Sequence, residues 1–176
     1  MSKSHTTPRR RRVHWTPGLV VAVPLADDTW GLGQTSELMW KNVGYLALFS
    51  HRLPSLDTSV PPIARSDAIS LIAVDRHALA SGRWPLVSSS AALFPKQEFP
   101  NERFATTGYI GATILDHGIA EDFLSAYHGL IPWNGPYADE AYLDRLLLAG
   151  CPRPATARIL SAEQRLQYRK NMESSA

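Results

Sequence analysis

Two short groupings in this 176-residue chain set a carboxylate beside an imidazole: Asp75 with His77, and Asp116 with His117. Such a pair can orient a water for general-base attack or help hold a divalent cation. Asp75 and His77 follow an apolar run at 69–74, where a strand leaves its sheet and side chains can converge. Asp116 and His117 stand just ahead of a helical stretch. Neighbours on a strand point to opposite faces, so these two share a site only in a loop. Each pair also has a plain structural reading, with Asp116 starting the helix and the histidines on the surface. His128 falls on the polar side of the same helix, and His51 is followed by a loop. No His-x-His, His-Glu-x-x-His, phosphate-binding loop or Gly-x-Ser-x-Gly occurs. Gly31-Leu32-Gly33 lacks the third glycine of a dinucleotide fingerprint and reads as a strand device. The aromatic residues Trp30, Trp40, Trp84, Trp133 and Tyr109 stand near turns and short strands. They suit a core, or an apolar pocket or interface.

The elements that must position these groups follow from periodicity. Residues 19–25 are Val-rich and bounded by Pro17-Gly18 and Asp27-Asp28, which predicts a buried strand. Asp27-Asp28 turns the chain into a second strand over 29–34, whose glycines at 31 and 33 suggest a bulge or close backbone approach. A third strand is predicted at 43–49, a fourth at 69–74 and a fifth at 84–87. Residues 75–82 read as one helical turn or an ordered loop, and 88–108 as irregular structure over the core. From Ala120, the residues Phe123, Leu124 and Tyr127 share a helix face, with Glu121, Ser125 and His128 on the solvated one. A second helix is expected at 138–149, with Asp139 and Glu140 early and Arg145 late. Ser161-Ala162-Glu163-Gln164 matches a capping box and opens a polar helix. Strands first and helices last imply an α+β fold: a curved antiparallel sheet, a small half-open barrel, in the N-terminal half and two to three helices in the C-terminal third.

Charge and composition set limits. Of 18 basic residues, Lys3 and Arg9 to Arg12 precede Val13; from there on, 13 basic face 16 acidic residues, a net of −3. This predicts a disordered basic arm over 1–14, one globular domain over 15–160 and a polar helix or tail over 161–176. The body supplies no basic stripe to extend the Arg run, which argues against nucleic-acid binding. Cys151, the lone cysteine, excludes an intramolecular disulfide framework and reads as a small apolar filler in a reducing cytoplasm. No stretch reaches the ~20 apolar residues of a membrane helix.

Two segments resemble a known family. They are Gly18…Val23-Pro24-Leu25-x3-Thr29-Trp30-Gly31-Leu32-Gly33 and Leu79…Ser81-Gly82-Arg83-Trp84-Pro85-Leu86-Val87. Together they are similar to immunity protein 26, a family that also takes in a small phosphotriesterase of the HocA type. The resemblance runs from about residue 17 to about 105. It implies either hydrolysis of organophosphate triesters or neutralisation of a protein toxin, and it transfers no catalytic residues. The candidates therefore come from the residues themselves. Asp75, His77, Asp116 and His117 would serve as bases or as ligands of a divalent metal. Arg76 or Arg83 would face the phosphoryl oxygen, and Trp30 and Trp84 would line a leaving-group pocket. Catalysis requires at least two of the four acid and imidazole groups to converge at a concave pocket. Toxin binding requires instead an exposed apolar patch.

Overall fold

The computed structural model describes residues 13–174, so the Arg9 to Arg12 run and most of the expected arm lie outside the described residues. Five strands, β1 (Leu19–Pro24), β2 (Trp30–Trp40), β3 (Val43–Leu53), β4 (Ala68–Asp75) and β5 (Leu86–Ser89), form one antiparallel sheet in the order β4-β3-β2-β1-β5. The sheet is open, with β4 and β5 at its edges. Helices α1 (His77–Ser81), α2 (His117–Tyr127) and α3 (Ala162–Glu173) complete an α+β fold.

Both faces of the sheet are covered, which explains why β1, the first half of β3 and most of β4 are apolar without alternation. One face buries Val21, Val23, Leu46, Leu48, Ile72 and Val74 under Ala120, Phe123 and Leu124 of α2, with Trp84 and Trp133. The other buries Leu32, Tyr45, Phe49, Leu71 and Ala73 under Phe94 and Phe99, which come from the stretch beyond β5. That stretch is not irregular as expected but holds two 3-10 helices, Lys96–Glu98 and Pro100–Thr107. The glycines act by close approach. A Cβ on Gly31 would sit 2.8 Å from Leu124 Cδ1, and one on Gly44 would enter the Trp15 ring at 2.1 Å. Trp15 is itself buried, and its indole N–H donates to the Ser36 carbonyl at 2.8 Å. Val13, the first of the described residues, packs against the first core as well.

Several expectations need correction. Strands two and three run on to Trp40 and Leu53, so His51 lies inside a strand. The fifth strand starts at Leu86, because the Trp84 N–H donates to the Ala78 carbonyl near the start of α1 rather than to the sheet. The helix expected at 138–149 is reduced to a 3-10 turn at Leu143–Leu146. Its first turn is taken apart by competing bonds. Asp139 accepts from the Ala141 N–H, while the Arg165 guanidinium binds the carbonyls of Asn134, Tyr137 and Ala138. Ser125, expected on the solvated face of α2, is buried and accepts from the Ala26 N–H. His128, expected in solvent, is half-buried with Nε2 unpartnered, and burial lowers its pKa. The capping box at Ser161 and Gln164 is present and opens α3 as expected.

Candidate active site

The end of β4 and the start of α2 are joined by one residue. Leu115 donates its N–H to Ala73 at 2.8 Å and accepts from the Asp75 N–H at 3.2 Å, a single parallel bridge on the outer edge of β4. The two residues that follow are Asp116, the N-cap of α2, and His117, its first helical residue. They fall beside Asp75 for that reason, although 42 residues separate Asp75 from His117.

Asp75 is held from three directions. Its Oδ1 accepts from the His77 N–H at 2.8 Å, which closes the turn into α1. Its Oδ2 accepts from the His117 N–H at 2.9 Å and lies 3.1 Å from His117 Nδ1. Burial pushes the Asp75 carboxyl up, but these donors outweigh it and hold the group below its usual range. Asp116 Oδ1 caps α2 by accepting from the Gly118 N–H at 2.8 Å, and its Oδ2 stands 3.7 Å from His117 Nδ1. With two carboxylates on the Nδ1 side, the proton belongs on Nδ1, leaving Nε2 as the free lone pair. Asp75, Asp116 and His117 also offer ligand atoms within 4.8 Å of one another, a geometry that can take a cation.

The side chains of Asp75, Asp116 and His117 therefore meet at one place, and His77, bound to Asp75 through its backbone N–H, stands beside them. The His77 ring centroid is 6.0 Å from that of His117. His77 is exposed and lines a cleft of about 340 Å³ with Trp15, Arg76, Leu79 and Ser81. The three residues selected for substrate contact are placed differently. Trp84 is buried in the core and is not among the residues that line this cleft. Its ring backs that of His117 at 6.3 Å, and its Nε1 donates to Glu121 at 2.9 Å. Arg83 is engaged by the same Glu121 through a two-bond fork at 2.6 and 2.5 Å. Trp30 pairs with Leu53, whereas Asp75 pairs with Val43, so Trp30 stands at the opposite end of β3, about 30 Å away along the strand.

Sequence reasoning passed over Glu121, which was assigned to solvent. Its signal was the i, i+4 spacing from His117 along α2. It also passed over the cleft wall formed by Val13 and Trp15, which no local pattern marks. No family model, curated protein or solved structure matches the chain.

Proposed function

We propose that the protein is a small hydrolase that cleaves organophosphate triesters by water attack at phosphorus. The observation that carries this reading is the double hold of Asp75 on His117, through the backbone N–H and through Nδ1. His117 Nε2 takes a proton from the attacking water, and Asp75 steadies the imidazolium that forms. The proton then passes to the departing aryl or alkyl alkoxide, so the products are a phosphodiester and an alcohol. His77 leads from this pair into the adjoining cleft. There Trp15 and Leu79 give an apolar seat to the ester groups, and Arg76 gives a positive charge to the phosphoryl oxygen. A divalent cation on Asp75, Asp116 and His117 would supply water of lowered pKa by a second route. We place the activity in a reducing cytoplasm, where the free Cys151 thiol persists.

The test is turnover of a chromogenic phosphotriester by wild type, His117→Ala and Asp75→Asn, with and without chelator. General-base action predicts losses of about 10²- to 10⁴-fold in His117→Ala and indifference to chelation. Loss on chelation moves the chemistry to a bound cation. No turnover by wild type ends the enzyme reading.

A second reading, an immunity protein that covers a toxin, is favoured by one observation. Leu38, Trp40 and Ile110 are exposed apolar residues, and Trp40 meets Tyr109 edge-on at 5.4 Å. Trp40→Ser with Ile110→Ser is then expected to abolish protection against the cognate toxin while the fold is kept.

A further inference from the structure

Beyond the Leu115 bridge, the outer edge of β4 opens onto a second and larger cleft of about 620 Å³. Backbone alternation fixes which groups face it. The N–H of Asp75 and the carbonyls of Ala73 and Ile69 point away from β3, and each has a partner: Leu115 for the first two, the Leu148 N–H for the third. The N–H and C=O of Leu71 and the N–H of Ala73 point the same way and meet no protein partner among the described residues.

The segment that would have paired there is diverted. Continuing the ladder back from Leu115 would bring Thr113 to β4, but Thr113 donates its N–H to Asn101 Oδ1 at 3.1 Å. Its carbonyl accepts from Asn101 Nδ2 at 2.7 Å. Asn101 is buried, so this diversion is built into the fold. The result is a gap in the strand edge between the Ile69 and Ala73 carbonyl bonds, about 13 Å long. Apolar side chains in its lining include Leu115, Leu146 and Phe104, while the charged Glu98 and Arg145 that also line it are paired with Arg65 and Asp139. At the rim, the Arg103 guanidinium stacks on Phe104 at 4.6 Å and pairs with no carboxylate among the described residues.

We propose that this cleft binds the C-terminus of a short extended peptide. A main-chain amide of the ligand exchanges two hydrogen bonds with Leu71, as an added strand does. Apolar side chains of the ligand meet that apolar lining, and the terminal carboxylate meets Arg103. A short ligand is specified because the segments at Leu115 and Leu148 close both ends of the gap, and its free carboxylate is specified by Arg103. The volume lies within the range of small-ligand sites. The cleft lies across the Leu115 bridge from Asp75 and His117, so this proposal does not rest on the phosphotriester reading.

The test titrates isotope-labelled protein with a pooled library of N-acetylated tripeptide acids built from Ala, Val, Leu and Phe, and with the same library as C-terminal amides. The acids are expected to shift the amide resonances of Leu71 and Ala73 and to slow their hydrogen exchange. The amides bind about tenfold more weakly, and Arg103→Gln, an exposed change, removes that difference. No response at Leu71 and Ala73 to a millimolar excess of the acids overturns the proposal, as does equal binding of acids and amides to wild type.

Discussion

Asp75 holds His117 by two atoms at once, accepting its backbone N–H at 2.9 Å and facing its Nδ1 at 3.1 Å. The first contact fixes where α2 begins, and the second fixes how the imidazole is turned. One carboxylate therefore sets both the fold and the chemistry of this corner, and substitutions there must be read on both scales.

Asp75→Asn separates the two. The carboxamide oxygen can still accept one backbone N–H, so the chain remains folded, but it cannot stabilise an imidazolium. Turnover is expected to fall by about 10²-fold or more while near-ultraviolet circular dichroism stays unchanged. Equal turnover with a native spectrum would detach Asp75 from the reaction.

Acid stability supplies a second check. The folded-state Asp75 carboxyl titrates below its usual 3.8, so its contribution is fully present above that value and is lost as pH falls through the lower folded value. Urea midpoints of wild type and Asp75→Asn should differ most at neutral pH and converge in strong acid. A gap that persists unchanged in strong acid would contradict this.

Asp122 behaves in the opposite sense. Burial raises its pKa, with the Tyr137 hydroxyl at 2.8 Å only partly offsetting it. A carboxyl raised in the folded state loses stability as pH climbs from the unfolded value to the folded one. Asp122→Asn keeps an acceptor for Tyr137, and it is expected to raise the urea midpoint at neutral pH and leave it unchanged in acid.

Glu121 carries the fourth prediction. Glu121→Ala leaves the buried Trp84 N–H without an acceptor and should cost about 1–3 kcal/mol, whereas Glu121→Gln keeps that bond and should cost much less. Urea unfolding of the two variants side by side decides it, since equal losses would assign the effect to Arg83 instead.

The strands were legible because residues 19–25, 43–49 and 69–74 are apolar but for Ser70, as a sheet covered on both faces demands. The convergence of Asp75, His77, Asp116 and His117 was legible only as a list of residue types. What joins them is one backbone bridge at Leu115, and a single bridge leaves no periodic trace. The helix expected at 138–149 failed for a related reason. Its apolar spacing is real, but Arg165, which takes the carbonyls of Tyr137 and Ala138, is distant in sequence. Trp84 and Trp30 show the limit for aromatics: type and turn proximity do not distinguish a buried ring from a pocket wall.

The Trp15 ring lying against Gly44 has one more consequence. Val13 and Trp15 form a wall of the cleft that His77 lines, and that wall is held to the sheet by the Trp15 indole and by the packing of Val13. A protease cutting just after Trp15 would remove it without severing any strand of the sheet. The same cut would bare the Gly44 backbone to water. Such a nick would convert a walled recess beside His77 into an open shelf.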